Sequence, residues 1–405
     1  MLSVVMISTG EEVLYGDITD TNAAWLSAQF FEQGFAMTRR VTVGDNYEAL
    51  AKEIEMCSLS ADIVIVNGGL GPTSDDLTAA SAAMAANVGL EQSDAWVDEM
   101  TAKYQRVGRI MPAANLKQAM LPEGAELIDN PVGTACGFMM QLNRAWLFFT
   151  PGVPSEFKVM VMDQILPRLQ TMFNITDRKV CHRLYTYGLS ESGISDLFQS
   201  LVLPEGCSLG YRSSLPFIEI KLFAPQNDHQ AIVLLSKMTE LLGDNIVGEG
   251  CDLLNTIANL LPKDATLALS EQSTGGFAIN WLQDVSSLSA RLAVSEVMAD
   301  SVDKHACAEE LSTLIALRAQ RLHLHAPATY ALTTGPSLTD GGFMLGLTTP
   351  DGCWCQQLVF KRQYSNYDRR WVISTVLFDM LRRYLQAKDV FGCYESLDRV
   401  ASERL

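Results

Sequence analysis

The residues best equipped for chemistry lie in one short run, Val66-Asn67-Gly68-Gly69-Leu70-Gly71-Pro72-Thr73-Ser74-Asp75-Asp76. Three glycines let a backbone turn sharply and approach a ligand with no Cβ in the way, and the amides of such a loop point at whatever anion sits there. The adjacent carboxylates of Asp75 and Asp76 add the opposite property, since they can hold a divalent ion against that anion or handle a proton. Amides for a phosphate and carboxylates for a metal describe a site for phosphoester chemistry. A plainer role is a tight turn in which Asp75 or Asp76 caps the next helix, the default for an isolated Gly-Gly pair. The density of special residue types over this run favours the site.

Positioning such a loop needs a strand before it and a helix after it. The run Ile63-Val64-Ile65-Val66 has the length and β-branched content of a buried parallel strand, and a helical pattern starts at Leu77. Upstream, residues 2–8 form a strand, Asp20-Thr21-Asn22 caps a helix over 23–32 that Gly34 ends, and 39–43 is a second strand ending at Gly44-Asp45. Asn22 is read as a structural cap. Leu50, Ile54 and Cys57 have the spacing of a helix buried along one face. This alternation predicts an α/β unit, an open and mainly parallel sheet with helices on both faces and ligands outside the carboxyl ends of the strands. Glu11, Asp45, Asp75 and Asp76 all fall just after strands, so they share one sheet edge. Downstream, 77–107 is helical with Ser93 as a cap, and Lys117 and Arg109 offer positive charge for a phosphate. A strand over 146–149 then runs into Thr150-Pro151-Gly152-Val153-Pro154-Ser155-Glu156, a second strand-to-helix turn ending in a carboxylate.

A chain of 405 residues exceeds one ordinary core and suggests two or three domains. Hydrophobic residues make up 48% and charged residues 19%, with no apolar run of the roughly 20 residues that a membrane span needs. The first residues lack the basic region of a signal peptide and read as a strand, so the expected location is cytoplasmic. A net charge of −17 argues against nucleic acid or an anionic membrane as partner and leaves a small molecule or a metal ion open. Nine scattered cysteines fit reduced core thiols better than disulfides or a zinc site, and Cys353 and Cys355, two apart in a strand-like run, face one side. His323 and His325 have no ligand partner nearby in sequence.

The glycine loop with Asp75-Asp76, the runs 111–118 and 130–137, and Pro151-Gly152-Val153-Pro154-Ser155-Glu156 together resemble the N-terminal domain of the CinA family. That domain is similar in fold to the molybdopterin-binding MogA and MoeA domains. The resemblance implies a metal-dependent ADP-ribose pyrophosphatase with a nucleotide substrate, in a homodimer. Asp76 matches an aspartate that the molybdopterin-binding relatives keep after their Gly-Gly loop, and Asp45 another of their acidic positions. The expected site therefore has Asp75, Asp76 and Lys117 as catalytic residues. A divalent ion sits on Asp75, Asp76, Glu156 and Asp45, and substrate on Gly68, Gly69, Gly71, Thr73, Asn115, Thr134 and Gly152. These motifs lie within a domain expected over residues 1–172.

Residues 178–248 change character. Strand-like segments at 183–187 and 217–222 alternate with helical ones at 190–201 and 228–242, the latter strand reading as half-exposed. This α+β unit resembles the KH-like middle domain of the same family, without a Gly-x-x-Gly loop, and reads as a spacer or dimerisation module. A third unit over 250–388 opens with a strand at 265–269 and the turn Ser270-Glu271-Gln272-Ser273-Thr274-Gly275-Gly276, where Ser273 or Thr274 is a nucleophile or, more simply, a helix cap. It resembles the C-terminal CinA domain, which in active relatives removes ammonia from nicotinamide mononucleotide. Their nucleophilic serine falls on Gln272 here and their tyrosine on Ala299, while their lysine is kept as Lys304. A carboxamide cannot attack as an alkoxide does, and Ser273 lies one residue out of register, so the expectation is a fold kept without its chemistry. Residues 368–385 form an apolar helix, and 389–405 is expected to be a tail.

Overall fold

The computed structural model describes residues 2–175, 178–300 and 328–404, together with Thr313, Ile315, Ala316 and Arg318. Lys304, Cys307, His323 and His325 lie outside the described residues. The chain divides into two units, Met1–Val180 and Cys181–Leu405.

In the first unit the strands are β1 (Val4–Thr9), β2 (Met37–Val43), β3 (Ile63–Asn67), β4 (Leu90–Gln92), β5 (Met120–Pro122), β6 (Glu126–Ile128), β7 (Gly137–Leu142) and β8 (Ala145–Thr150). The main sheet has the order β2-β1-β3-β8-β7-β6, in which β2, β1, β3 and β8 run parallel, β7 pairs antiparallel with β8, and β6 pairs antiparallel with β7. Every residue of β1 and β3 is buried, as expected of central strands covered on both faces. The helices are α1 (Glu11–Leu14), α2 (Thr21–Glu32), α3 (Tyr47–Ser60), α4 (Thr78–Ala86), α5 (Asp94–Arg106), α6 (Pro154–Met160) and α7 (Leu166–Met172). Leu50 and Ile54 of α3, Ala82 of α4 and Trp96 of α5 cover one face of the sheet. Leu26 and Phe30 of α2, Phe157 of α6 and Leu169 of α7 cover the other. The doubly covered, mainly parallel sheet expected from the sequence is the architecture observed.

Local differences have local causes. The helical pattern over 77–107 breaks into two helices, because Asn87 takes a left-handed conformation (φ 55°) and β4 pairs with β5 in a separate ribbon. Ser93 caps α5 as expected, accepting from the Trp96 amide. The cap of α2 is the side chain of Asp20, not Asn22. Neither Asp75 nor Asp76 caps α4, whose N-cap is Leu77 with no side-chain bond.

In the second unit, β9 (Lys179–Thr186), β10 (Ser208–Ser214), β11 (Phe217–Pro225) and β12 (Ile246–Glu249) form a sheet in the order β10-β11-β9-β12 with α8 (Glu191–Phe198) and α9 (His229–Leu242). Alternation on β11 is broken by Glu219, which is buried and ringed by Arg183, Arg212 and Lys221, so this strand is not the half-exposed one expected. Beyond α10 (Leu253–Leu260) lies a sheet of β13 (Leu267–Glu271), β14 (Leu292–Val297), β15 (Tyr330–Thr334), β16 (Phe343–Thr349), β17 (Gly352–Phe360) and β18 (Leu397–Arg404), in the order β14-β13-β15-β16-β17-β18. The helices α11 (Phe277–Gln283), α12 (Ser286–Ser289) and α13 (Asn366–Leu385) complete it. The expected tail supplies β18, which pairs antiparallel with β17 and gives the edge an added strand. The Cys353 and Cys355 thiols do face one side of β17, 3.8 Å apart. No helix among the described residues is long and apolar enough to cross a membrane.

Candidate functional site

The carboxyl ends of β1, β3 and β8 open into a cleft of about 500 Å³. The loop after β3 bends into it through Gly68 (φ 110°) and Gly69 (φ 66°), conformations that side chains other than glycine rarely adopt. Space makes the same demand, since a Cβ on Gly68 would stand 2.5 Å from the Thr9 hydroxyl and 2.9 Å from its carbonyl oxygen. Thr78, at the start of α4, clamps the loop by donating its hydroxyl to the Gly68 carbonyl at 2.8 Å and its amide to the Gly69 carbonyl at 3.1 Å.

Two asparagines tie this loop to the second strand-to-helix turn. Asn67 donates to the Pro151 carbonyl at 2.7 Å and to the Thr150 hydroxyl at 3.2 Å, while Asn22 donates to Asn67 at 3.0 Å and to the Gly152 carbonyl at 2.8 Å. Asn22 is buried, lines the cleft, and keeps its side-chain oxygen without a partner among the described residues. Asn22 was expected only as a cap, and Asn67 stood in the glycine-loop run without a role of its own. A polar residue closing an all-apolar strand was the available sequence signal for Asn67; nothing local marked Asn22 as a cleft residue.

The four expected metal ligands, Asp45, Asp75, Asp76 and Glu156, all line this cleft, together with Gly68, Gly69, Gly71, Thr134 and Gly152. Their environments differ. Asp76 accepts from the Thr73 amide at 2.8 Å and from the Thr73 hydroxyl, so it stitches its own loop. Glu156 accepts from Asn130 at 2.7 Å. Asp45 accepts from the Glu11 amide at 3.2 Å; burial, and then Glu12, Asp75 and Glu11, raise its pKa against the opposing pull of that amide. Asp75 is held below the usual carboxylate range by the Thr73 hydroxyl, its own backbone amide and the Lys117 charge. Glu11 backs onto Gly44, leaving Glu12 in the cleft wall.

Thr73, Asn115, Lys117 and Arg109 are not among the residues lining the cleft. Lys117 donates to the Thr73 carbonyl from the far side of the loop, beside a smaller hollow of about 50 Å³. Asn115 is buried and bonded to Tyr104 and Gln118, and Arg109 is exposed. Gln118, unmarked in sequence, reaches the cleft wall instead.

The turn after β13 is organised by Glu271, which is fully buried and accepts from the Thr274 hydroxyl at 2.6 Å and from the amides of Gly276, Ala278 and Ile279. Glu271 therefore does the capping expected of Ser273 or Thr274, and the N-cap position itself is Gly276. Gln272 is fixed at both ends of its carboxamide, donating to the Ala299 carbonyl at 3.2 Å and accepting from Arg318 at 2.7 Å. The Ser273 hydroxyl is buried without a partner among the described residues, so no base stands beside it there.

Comparison with known proteins follows the same division. The family described as "Probable molybdopterin binding domain" matches residues 5–171. The "CinA-like protein" of Escherichia coli (strain SMS-3-5 / SECEC) is 43% identical over 414 residues, covering 100% of both chains. So is the protein named "NMN amidohydrolase-like protein YfaY" of Escherichia coli (strain K12). A solved structure of CinA from Thermoplasma acidophilum, described as of unknown function, is 27% identical, with a TM-score of 0.38 over 42% of this chain and 96% of that one. With full-length identity of this order on both chains, the protein belongs to the CinA-like protein family, with a molybdopterin-binding-type domain at its N-terminus.

Proposed function

We propose that the first unit hydrolyses a nucleotide pyrophosphate, cleaving ADP-ribose or a similar substrate to AMP and ribose 5-phosphate. The observation that carries this reading is one cleft in which a glycine loop, open to close approach by a phosphate, faces the carboxylates of Asp45 and Asp75. Loop amides would fix the substrate phosphate. In the reaction, a water oxygen bonds to one phosphorus as the bridging oxygen leaves with the other phosphate, and the water's proton passes to a carboxylate of the Asp75–Asp76 pair. Lys117 acts through Thr73, holding the loop that presents this pair and adding positive charge beside it.

A divalent ion is the expected cofactor. Among the described residues no three carboxylate, imidazole or thiol groups stand together as a complete cage. The donor set suits a hard ion that needs only one or two carboxylates and takes its other oxygens from substrate phosphate and water. Asp45, with one bond from the Glu11 amide, and the exposed Asp75 would hold it, and it would supply neutralisation of the pyrophosphate charge. AMP release from ADP-ribose, dependent on added divalent ion and lost in Asp75→Ala, is the expected result.

Two alternatives stay within reach of the same assays. Ligand holding without turnover is favoured by the engagement of Asp76 and Glu156, and would give thermal stabilisation by substrate with no product. An amidase in the second unit is suggested by one relative's name, but the bolted Gln272 carboxamide leads us to expect no ammonia from nicotinamide mononucleotide. Ammonia release that disappears in Lys304→Ala would contradict that expectation.

A further inference from the structure

The hairpin of β16 and β17 in the second unit carries two thiols for which the reading above has no use. Cys353 and Cys355 stand on one face of β17 with their sulfur atoms 3.8 Å apart. Across from them on β16, Thr348 pairs with Cys353 and Gly346 with Cys355, so the second thiol faces a residue without a side chain. Met344, the next residue along that face of β16, shares a buried apolar cluster with Cys355 and Ile315, and the half-buried Leu338 and Cys353 pack against it. Cys353 lies beside the hairpin turn and keeps part of its surface exposed, which gives solvent a route to the pair.

The two thiols hold their protons unequally. Cys353 is drawn below the usual thiol pKa chiefly by the bond from the Cys355 S–H, against the opposing effect of burial, and the Thr348 hydroxyl helps by donating to its sulfur at 3.4 Å. The same bond, burial, and the charges of Cys353 and Glu403 hold Cys355 above that value. Spacing disfavours a disulfide between them. Alternate residues of a strand lie about 6.5 Å apart, at a rise of about 3.3 Å per residue, whereas a disulfide needs Cβ atoms about 4 Å apart. A metal bridge has the longer reach. Two metal–thiolate bonds in line, each about 2.3 Å for zinc and similar for copper, span about 4.6 Å, which these thiols attain by leaning together slightly less.

We propose that Cys353 and Cys355 bind one soft monovalent metal ion, Cu(I), as a two-coordinate bis-thiolate. Ligand type selects the ion, because donors that are sulfur alone favour soft metals over magnesium, calcium or manganese. Ligand number selects it again. Among the described residues no third histidine, cysteine, aspartate or glutamate joins the pair, so the four-coordinate shell that zinc takes is not supplied. On binding, two S–Cu bonds replace two S–H bonds, both protons leave to solvent, and copper and sulfur keep their oxidation states. The apolar side chains of Ile315, Leu338 and Met344 form the surroundings that a soft, weakly hydrated ion tolerates.

Anaerobic titration of the reduced, full-length protein with Cu(I), in competition with a coloured Cu(I) chelator, tests this. The protein should retain about one equivalent, and X-ray absorption should show two sulfur neighbours with no nitrogen or oxygen. Cys353→Ser should weaken retention at least about a hundredfold, the upper range for removing a group that merely orients a metal ligand. Because Cys353 is partly exposed, this variant should keep its metal-free melting temperature, so a loss of copper reports on the site and not on folding. Cys355→Ser should lose copper to the same extent, whereas Cys393→Ser, which removes an exposed thiol elsewhere, should retain it. No copper held by the wild-type protein, equal retention by Cys353→Ser, or nitrogen or oxygen donors around the metal would overturn the proposal.

Discussion

Asp76 illustrates how a residue's partners decide what its chemistry is available for. In sequence it is indistinguishable from Asp75, yet it accepts from both the amide and the hydroxyl of Thr73, while Asp75, which the same hydroxyl helps to keep ionised, is exposed at the mouth of the loop. Sequence identified the carboxylates but not which of them are already engaged, because the engaging groups, Thr73 and Asn130, are ordinary loop residues. A second aspartate outside the cleft makes a sharper test of carboxylate electrostatics. Asp62 accepts from the Ser3 amide at 2.8 Å and pairs with Arg144, and these partners hold its carboxyl below the usual value of about 3.9. Its contribution to stability is therefore complete above that value and is lost as pH falls through the depressed one. Asp62→Ala should cost about 1 kcal/mol at pH 7 and move the acid-unfolding midpoint, followed by circular dichroism, to higher pH. An unchanged midpoint would contradict the role given to Ser3 and Arg144.

At the scale of elements, the strand-loop-helix unit was the most legible feature. A continuous β-branched run, a glycine cluster and a helical period follow from purely local backbone and burial requirements, and β3, the loop and α4 stand where those requirements put them. What local pattern could not give was pairing. The ribbon of β4 with β5 joins segments some thirty residues apart, and β18 gains its strand character only from the open edge of β17. Gly68→Ala tests the loop at this scale. Its positive φ and the nearby Thr9 carbonyl make the substitution cost about 1–3 kcal/mol in denaturant unfolding, with a larger proportional loss of nucleotide binding. Wild-type stability and binding in this variant would mean that the loop relaxes freely.

At the scale of the molecule, the two units have cores of different character. The first is a sheet filled by aliphatic and aromatic side chains on both faces. The second also buries charge, because Asp379 on α13 accepts from Arg382 at 2.7 Å, from Arg383 at 2.9 Å and from the Tyr394 hydroxyl at 2.8 Å. Those arginines reach Asp244 beyond α9, tying the four-stranded part of the unit to α13. The sequence marked this helix only by its apolar residues, whereas α13 also buries Asp379, Arg382 and Arg383. Asp379→Ala leaves two guanidinium groups buried without their carboxylate and should cost about 3–5 kcal/mol in urea unfolding. A loss under 1 kcal/mol, about what an exposed pair contributes, would show that water replaces the carboxylate readily.

The central claim concerns the cleft at the carboxyl ends of β1, β3 and β8, and product analysis of ADP-ribose incubated with the full-length protein and a panel of divalent ions tests it most directly. AMP and ribose 5-phosphate should appear in equal amounts, only with added ion, and fall at least about a hundredfold in Asp75→Ala, the order expected for losing a positioned acid–base group. No AMP with any ion, or undiminished AMP from Asp75→Ala, would contradict the account.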